Sequence, residues 1–586
     1  MNNNYSLTEL LGHDDKKAPQ SAWKKMLPLL KTEKKSLIVA FAAVLGNAGF
    51  NLLGPLLVGY TIDTYVAAKD YHGVLVLSAI LLCVYVAAFV SNYVQMRAMG
   101  GVAQRTLWRL RNDVFGKLQE LPLAFFNQNK TGDLISRINR DTDNLNTFFS
   151  QGLMRFAGNI FLIIGAGIFI LCINPKLGAS ALVPGVVIFI FTRLVSGWVR
   201  RSNAKSAAAS GLLSAEVSES IANFKVVLAF DRRDYFRDHF AEANGANFKA
   251  AWHAGLANEL FTPVFEFCGN IAQLVVLGVG LYLISQGQFA VGLLVSFVLY
   301  VTRFYDPLRE MARLWSTFQV ALASWDRISK ILTLTSNLAV MPDGKKDGKG
   351  LIEFRHVSFG YPGGKPVLHK VNFRFEPGKT YALVGPTGGG KTTTASLIAR
   401  LYDPTEGTVY LNGRDIRSYE PRERAQRIGF ILQEPFLFRG NLRENILYGN
   451  EEYAGISDDE FKKVLSDAGL DSLLDRFDGG LSAKIDASGA MSLGERQIIA
   501  FARAVLRKPD ILILDEATAN IDTVTEKILQ DILGKLPKTT ARVVIAHRLN
   551  TIENADSIFF VNGGEVKEAG SMEHAVDMLL HHKRRS

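Results

Sequence analysis

Long apolar stretches alternate with polar segments through the first half of the chain, whereas the second half shows only short apolar runs. Six of these stretches are nearly free of charge: Leu37–Tyr65, Val74–Val94, Phe156–Ile173, Leu177–Val199, Leu260–Ile284 and Phe289–Val301. Most approach or exceed the roughly 20 residues that cross a bilayer as a helix. The last stretch is short before Arg303 and Asp306. We count it because an odd number of spans would place the second half of the chain outside the cell.

Basic residues are unevenly distributed between the segments that separate these stretches. They concentrate before the first stretch and in two long connections, residues 97–151 and 200–258. The three alternate loops carry two basic residues in all: Lys69 in 61–73, Lys176 in 174–176, and none in 285–288. The excess of Lys and Arg on the cytoplasmic side of membrane proteins orients such bundles. We therefore predict a multi-pass protein of the plasma or inner membrane with both termini in the cytoplasm.

Composition supports the same class of protein. The chain has 586 residues, 48% of them apolar, and a formal net charge of +10. A chain of this length is expected to hold more than one domain. The basic residues flank the predicted spans, so the positive charge indicates contact with a lipid bilayer and a membrane surface. We predict no nucleic-acid partner.

The second half of the chain contains a complete phosphate-binding motif. It follows the apolar run Tyr381–Val384 and consists of Gly385, Pro386, Thr387, Gly388, Gly389, Gly390, Lys391, Thr392 and Thr393. The glycines let backbone N–H groups surround phosphate oxygens at a helix N-terminus. Lys391 is predicted to reach the β- and γ-phosphates, and Thr392 to ligate Mg²⁺. The predicted cofactors are ATP and Mg²⁺.

A second element supplies acidic groups. Ile511–Leu514 is a fully apolar run, as expected of a strand buried on both faces of a parallel sheet. It leads into Asp515, a candidate Mg²⁺ ligand, and Glu516, which can polarise the attacking water. Upstream, Met491–Gln497 opens a helical stretch, and downstream His547 follows another apolar run.

These motifs, in this order, resemble the nucleotide-binding domain of ABC transporters over residues 351–586. The resemblance implies further roles: Tyr361 stacks on adenine, Gln433 contacts Mg²⁺ and the reaction centre, Asp522 lies in the D-loop, and His547 is the switch histidine. It also implies that Ser492 and Gly494 contact ATP held by a second subunit. The predicted catalytic set is Glu516, His547, Lys391 and Gln433, and the predicted metal ligands are Thr392, Gln433 and Asp515.

The first half resembles the transmembrane domain of type IV ABC exporters. The segments Phe125–Arg137 and Ala215–Arg233 resemble its two intracellular loops, although Asn223 stands where the family commonly has Gly. In the family these loops end in short coupling helices that touch the ATPases, and the second loop reaches the partner subunit. The fold class is therefore a six-helix, all-α transmembrane domain fused to an α/β P-loop ATPase.

Four regions follow from this division of the chain. Residues 1–35 form an N-terminal segment that includes an amphipathic helix at Ser21–Thr32, and Met1–Pro19 reads equally as a disordered lead-in. Residues 36–332 form the transmembrane domain, residues 333–350 a linker, and residues 351–586 the nucleotide-binding domain.

The signature region departs from the family pattern Leu-Ser-Gly-Gly-Gln. Met491, Leu493 and Glu495 replace its first, third and fifth residues. Leucine adds bulk and prefers negative φ, so this chain is expected to offer its partner a weakened site. Alternatively the changes are harmless, since Ser492 and Gly494 remain. We favour a heterodimer of half-transporters over a homodimer.

The substrate is not identified by the sequence. Glu266 lies in an apolar stretch, and such a carboxylate is by default a functional candidate. It either attracts cationic substrates or pairs with Arg193 or Arg303. We predict an ATP-driven exporter of a hydrophobic or amphipathic drug, lipid or peptide that works by alternating access. The alternatives are an importer with the same fold and a non-transporting sensor or ATP-gated channel.

The predicted orientation can be tested by labelling. Cysteines placed near Asp70, Pro175 and Gln286, after replacement of the native 3, should react with an impermeant thiol reagent from outside intact cells. A cysteine at Lys345 should react only after permeabilisation, because it lies on the cytoplasmic side. The reverse pattern would contradict both the orientation and the count of six spans.

Overall fold

The chain forms two units that differ in secondary structure. The computed structural model describes residues 5–7, 26–342, 347–474, 476–485, 491–515, 523–545, 555–570 and 573–574. One unit, here the helical unit, comprises His13–Gln119 and Gly132–Thr333. The other, here the α/β unit, comprises Met1–Gly12, Glu120–Thr131 and Leu334–Ser586.

Eleven labelled helices cover the described part of the chain before residue 334. They are α1 (Lys34–Thr61), α2 (Tyr71–Glu120), α3 (Leu123–Gln128), α4 (Thr131–Ser136), α5 (Thr142–Thr147), α6 (Leu153–Ile173), α7 (Pro175–Ala222), α8 (Phe224–Ala229), α9 (Arg233–Glu259), α10 (Phe261–Ser285) and α11 (Val291–Thr333). Turns of π-helix follow α1 and join α4, α5 and α6, so that Thr131–Ile173 is one helical run.

Six helical runs are long and apolar enough to cross a membrane. They are Pro28–Val66, Tyr71–Glu120, Thr131–Ile173, Pro175–Ala222, Arg233–Ser285 and Val291–Thr333. The prediction of six spans is confirmed, including the short last stretch, because α11 continues as helix through Arg303 and Asp306. At about 1.5 Å per residue, runs of this length extend well beyond a hydrocarbon core of about 30 Å.

The polar ends of these helices are joined by two very short helices, α3 and α8. Helix α3 overlaps the first of the two segments that resemble exporter intracellular loops, and α8 lies within the second. Asn223 precedes α8 with a φ of −102° and donates a side-chain hydrogen bond to the Glu219 carbonyl. The backbone conformation at this position is open to any L-residue, which explains why glycine is not required there.

The segment before α1 differs from the sequence prediction. An amphipathic helix was predicted at Ser21–Thr32, whereas the structure has a 3₁₀ helix at Leu27–Glu33, with Pro28 in its first turn. The Glu33 carboxylate accepts from Arg105 at 2.7 Å and lies 3.1 Å from Arg109, both on α2. Residues 21–25 lie outside the described residues.

Helices α1 and α11 approach each other closely in the helical unit. Tyr300 Oη donates to the Leu52 carbonyl at 2.6 Å, and Ser296 Oγ donates to the Pro55 carbonyl at 2.7 Å. One turn further, a Cβ on Gly59 would lie 2.5 Å from the Gly292 carbonyl oxygen. Small residues allow backbones in a membrane bundle to approach in this way.

The same contact ends in a helix cap. The Asp63 carboxylate accepts from the backbone N–H groups of Gly292 (2.6 Å) and Leu293 (2.9 Å) at the start of α11. These N–H groups have no partner inside the helix, and a carboxylate also suits the positive end of the helix dipole. The loop after α1 is thereby fixed to the start of α11.

The α/β unit is built on two sheets and a short ribbon. Its strands are β1 (Ile352–Gly360), β2 (Pro366–Phe375), β3 (Thr380–Val384), β4 (Glu406–Leu411), β5 (Arg414–Asp415), β6 (Ile428–Ile431), β7 (Gly440–Asn441), β8 (Lys484–Ile485), β9 (Ile511–Asp515), β10 (Ala541–Ile545), β11 (Ser557–Asn562) and β12 (Glu565–Glu568). The sheet orders are β2-β1-β4-β5, β12-β11-β3-β10-β9-β6 and β7-β8.

Helices flank these strands. They are α12 (Lys391–Ile398), α13 (Pro421–Arg427), α14 (Leu442–Leu447), α15 (Asp458–Asp467), α16 (Asp471–Leu474), α17 (Leu493–Leu506) and α18 (Thr523–Gly534). In the six-stranded sheet β11, β3, β10, β9 and β6 run parallel. All five residues of β9 are buried, as the apolar run predicted. The carboxyl ends of these strands meet at one edge, where ligands of such sheets bind.

Replacing Gly59 with alanine should destabilise the helical unit, because the added methyl meets the Gly292 carbonyl and Ser296 Oγ. Overpacking of this kind costs about 1–3 kcal/mol. Thermal unfolding in detergent should show a melting temperature several degrees below that of the wild type. Gly49→Ala on the same helix is the matched control, since nothing lies within 4 Å of its Cβ position. Equal melting of both variants would contradict the close contact.

Candidate nucleotide site

The glycine loop between β3 and α12 has a backbone that only glycine supports at three positions. Gly385, Gly388 and Gly390 have φ values of +152°, +81° and +112°. A Cβ at Gly385 would also lie 2.0 Å from the Val561 carbonyl oxygen. Gly390 immediately precedes Lys391, the first residue of α12, so that the helix N-terminus opens into the loop. The loop conformation and helix dipole together suit a phosphate chain.

Lys391 lies inside this loop. Its side chain is 6% exposed. Its ammonium donates to the carbonyls of Gly385 (2.8 Å) and Pro386 (3.0 Å). The next residue, Thr392, is exposed at the start of the helix, whereas Thr393 is buried. The loop therefore presents a positive charge and an accessible hydroxyl on the side that faces the carboxyl edge of the sheet.

Three aromatic rings lie beside the loop. Tyr361 makes edge-on contacts with Phe359 (5.0 Å between centroids) and Tyr402 (5.3 Å). The hydroxyl groups of Tyr361 and Thr393 are 3.0 Å apart. Tyr361 thus connects the aromatic group to the residue that follows the predicted Mg²⁺ ligand, and a half-exposed ring in this position suits stacking on a base.

Tyr402 also connects this group to α3, a link that sequence reasoning missed. Asn127 Nδ2 donates to Tyr402 Oη at 2.7 Å. Burial raises the pKa of Tyr402, so its hydroxyl stays protonated at neutral pH. The run Asn127-Gln128-Asn129 was the available signal, because three successive amides need hydrogen-bond partners when they are buried.

The acidic and amide candidates follow strands at the same sheet edge. Asp515 is the last residue of β9 and is buried, and Gln433 lies two residues beyond the end of β6. Asp515 pairs with Ile545, and Ile545 pairs with Leu383, so one strand, β10, lies between Asp515 and the strand that leads into the glycine loop. Carboxylate and hydroxyl oxygens are ligands that Mg²⁺ prefers, so Asp515 and Thr392 fit that ion. Glu516, Asp522 and His547 lie outside the described residues.

The signature residues form a capping box at the start of α17. Ser492 Oγ accepts from the Glu495 N–H at 3.2 Å, and Glu495 Oε2 accepts from the Ser492 N–H at 2.8 Å. Such a reciprocal pair stabilises a helix start. Leu493 is the first residue of this helix, and helical φ is negative, so leucine fits its backbone without strain. The expectation that the backbone conformation at position 493 disfavours leucine is therefore wrong, because this position does not need a left-handed conformation.

Glu495 changes the electrostatics of this helix end. Its carboxylate lies at the positive end of the helix and accepts the backbone N–H of Ser492. Ser492 remains exposed, and Gly494 is buried with Thr525 only 3.2 Å from its Cβ position. This helix end therefore carries a negative charge at Glu495 and a bulky side chain at Leu493.

An aromatic groove lies next to β6 on the same unit and was not predicted. Phe436 and Tyr448, 63% and 55% exposed, contribute to a cavity of about 230 Å³. The guanidinium of Arg503 stands 5.8 Å from the Phe438 ring centre and 5.2 Å from that of Tyr448. Burial lowers the pKa of Arg503, which nevertheless stays cationic. Its hydrogen bond to the Asn445 carbonyl (2.8 Å) fixes the floor of the groove.

A separate polar cavity of about 310 Å³ lies between α10 and α11 in the helical unit. Glu266 pairs there with Arg309 at 2.6 Å, and Asp306 lies 3.6 Å from the same guanidinium. The predicted partners, Arg193 and Arg303, are therefore wrong. The crossing of α10 and α11, which the sequence pattern does not reveal, places Arg309 opposite Glu266.

Comparisons with known proteins give the chain's relatives. The family model for the ABC transporter transmembrane region matches residues 37–308, and the ABC transporter model matches residues 368–519. The uncharacterized ABC transporter ATP-binding protein YfiC of Bacillus subtilis is 32% identical over 93% of this chain and 91% of its own length. A fatty acid ABC transporter ATP-binding/permease protein of Mycobacterium bovis is 32% identical over 84% of this chain and 78% of its own length.

A third relative carries a different name. The Bacillus subtilis protein named "Probable multidrug resistance ABC transporter ATP-binding/permease protein YheH" is 30% identical over 84% of this chain and 74% of its own length. The similarity to the three relatives extends over 557, 497 and 504 residues, respectively.

Proposed function

The chain belongs to the ABC transporter family, and from this premise we propose that it is one half of a dimeric, ATP-driven exporter of hydrophobic or amphipathic substrates. It joins a transmembrane region to an ATPase domain, and relatives named as fatty acid and multidrug transporters share that arrangement. The observation that carries the proposal is the glycine loop with Lys391 inside it, in a chain that also has six apolar helical runs.

The proposed reaction is hydrolysis of ATP at the carboxyl edge of the six-stranded sheet. Tyr361 holds the adenine ring, and Lys391 with the loop N–H groups holds the β- and γ-phosphates. Thr392, Asp515 and Gln433 would hold Mg²⁺, and this ion would neutralise part of the phosphate charge. Glu516 takes the proton of the attacking water, and His547 contacts the γ-phosphate.

We propose a water-filled path on the face of α10 and α11 that carries the polar cavity. Glu266, Asn270 and Gln273 recur at helical spacing on α10, and Thr302, Asp306 and Arg309 do so on α11. Charged side chains at the centre of a bilayer cost about 2.5–3.5 kcal/mol each on insertion scales, so this face would avoid lipid. An amphipathic substrate fits here, with its polar head at the charges and its apolar part against Phe265 and Tyr305.

The proposed dimer is a heterodimer in which two ATP sites differ. Each site would pair the glycine loop of one subunit with the signature of the other. This chain contributes Lys391 and Glu516 to one site, and to the other it contributes Leu493 and Glu495. The second site would turn over slowly, because Glu495 and the phosphates repel each other.

The same dimer accounts for two exposed apolar surfaces. Phe224 and Val226 on α8 are 53% and 55% exposed, and the aromatic groove on the α/β unit is also exposed. We propose that α8 of each subunit docks in the groove of its partner. We also propose that the ATPases and both termini are cytoplasmic, in the plasma or inner membrane.

Glu516→Gln should abolish most hydrolysis and transport but retain ATP binding, because an amide does not accept the proton of the water. Lys391→Ala should weaken nucleotide binding itself. The measurement is ATP hydrolysis and labelled-amphiphile uptake by inside-out vesicles that contain both half-transporters. Wild-type hydrolysis by Glu516→Gln would contradict the assignment of the base.

The vesicles also decide between function classes. Export predicts ATP-dependent accumulation in inside-out vesicles, with none in Glu516→Gln vesicles. Accumulation in right-side-out vesicles that contain ATP would instead indicate an importer. Hydrolysis without movement of any labelled amphiphile would favour a sensor or channel.

Two substitutions separate charge from bulk in the signature. Glu495→Gln keeps the capping box, because an amide oxygen accepts the Ser492 N–H, but it removes the charge. Leu493→Gly removes the bulk. In the heterodimer each should change overall turnover by no more than about threefold, since the other site does most of the hydrolysis. Purification of this chain alone tests the premise: a homodimer with fast, transport-coupled hydrolysis would contradict the asymmetric reading.

A further inference from the structure

Two N-terminal residues, Tyr5 and Leu7, are buried, although most of their neighbours in the sequence are polar. Tyr5 is 4% exposed and Leu7 is 2% exposed. This outcome differs from the disordered lead-in that the sequence allowed for Met1–Pro19. The described contacts of Tyr5 and Leu7 all lie within the α/β unit, on residues far away in the sequence.

The first set of contacts joins the segment to the end of α3. The Tyr5 N–H donates to Gln128 Oε1 at 2.8 Å, and the Leu7 N–H donates to Asn129 Oδ1 at 3.0 Å. Asn129 Nδ2 donates back to the Tyr5 carbonyl at 2.9 Å and to the Phe125 carbonyl at 2.7 Å. Two amide side chains thus satisfy three backbone groups of this segment.

The second set joins the segment to the linker after α11. Tyr5 Oη donates to the Thr335 carbonyl at 3.1 Å and accepts from the Asn337 N–H at 3.0 Å. Burial raises the pKa of Tyr5, so the phenol keeps the proton that it donates. Tyr5 therefore bridges α3 and the linker: its backbone contacts α3 and its neighbour Asn129, and its hydroxyl group contacts the linker.

Both connected elements are themselves anchored beside the nucleotide site. Asn127, next to Gln128, donates to Tyr402, and Tyr402 contacts Tyr361. The linker is held by the buried Arg400, whose Nη2 donates to the Ala339 carbonyl at 2.9 Å. Residues 400 and 402 thus hold the two elements that Tyr5 ties together.

We propose that Tyr5–Leu7 form a clasp that fixes α3 to the linker, so that α3 follows the nucleotide site as one body. This inference rests on the proposed exporter function, and it adds that movement of the ATPase reaches the membrane helices through α3. A six-residue helix has too few internal hydrogen bonds to hold its own position. Besides the clasp, the hydrogen bond from Asn127 to Tyr402 connects α3 to the nucleotide site.

The clasp makes Tyr5 a positioning residue, which acts on transport through α3 and not on ATP itself. Loosening it should therefore lower the amount of substrate moved per ATP and leave the KM for ATP unchanged. A segment that merely covers an apolar patch would behave differently. Its loss would reduce thermal stability, hydrolysis and transport in parallel.

The test uses the full chain with its partner in vesicles. Tyr5→Phe keeps the ring and removes both hydroxyl hydrogen bonds, and Gln128→Ala removes the acceptor of the Tyr5 N–H. Each should reduce transport per ATP about threefold or more, with basal hydrolysis within about twofold of wild type. Because both residues belong to one clasp, the double variant should be little worse than either single variant. Tyr71→Phe, at a tyrosine that is 81% exposed, is the matched control.

Hydrogen exchange gives a readout that does not depend on transport. Amides of Leu123–Gln128 should exchange faster in Tyr5→Phe than in wild type, while those of α12 should not change. Wild-type exchange at α3 together with wild-type transport per ATP would overturn the clasp. A parallel fall of melting temperature, hydrolysis and transport would overturn it as well. If the wild type itself moves no substrate while α3 loosens in the variant, the proposed function fails and the clasp stands.

Discussion

The hydrocarbon core of a bilayer offers no hydrogen-bond partner to a peptide group, and the architecture of the helical unit follows from that constraint. Each span must be helical throughout, and a polar side chain on one helix must find its hydrogen-bond partner on another helix. The contacts of Asp63, Ser296 and Tyr300 satisfy this requirement between α1 and α11. The same constraint singles out the face with Glu266 and Arg309, because such charges need water, a partner or substrate.

In the α/β unit, the N-termini of helices α12 and α17 differ in their chemistry. The start of α12 is open, since glycines remove side chains and Lys391 adds a positive charge. The start of α17 is closed by its own capping box, in which Glu495 supplies a negative charge. One helix end therefore suits phosphate, whereas the other carries a negative charge. The proposed inequality of the two ATP sites needs only this local difference.

The sequence predicted the features that depend on local pattern. Apolar length specified six spans, and the glycine spacing specified the loop before α12. Features that depend on how helices and strands cross were not predictable, such as Arg309 opposite Glu266 or Asn127 beside Tyr402. The burial of Tyr5 belongs to the same class, because its partners are more than 100 residues away in sequence. Pattern reveals which residues need partners, whereas packing decides which partners they obtain.

The length of α2 has a mechanical consequence. This single helix runs for 50 residues, or about 75 Å at 1.5 Å per residue, of which a membrane accounts for only about 30 Å. A helix that extends so far past the bilayer behaves as a lever whose parts outside the lipid are together longer than the part inside it. Small rotations inside the membrane then correspond to larger displacements at the far tip. A small movement at the membrane end of α2 thereby becomes a larger movement, with a smaller force, at its other end.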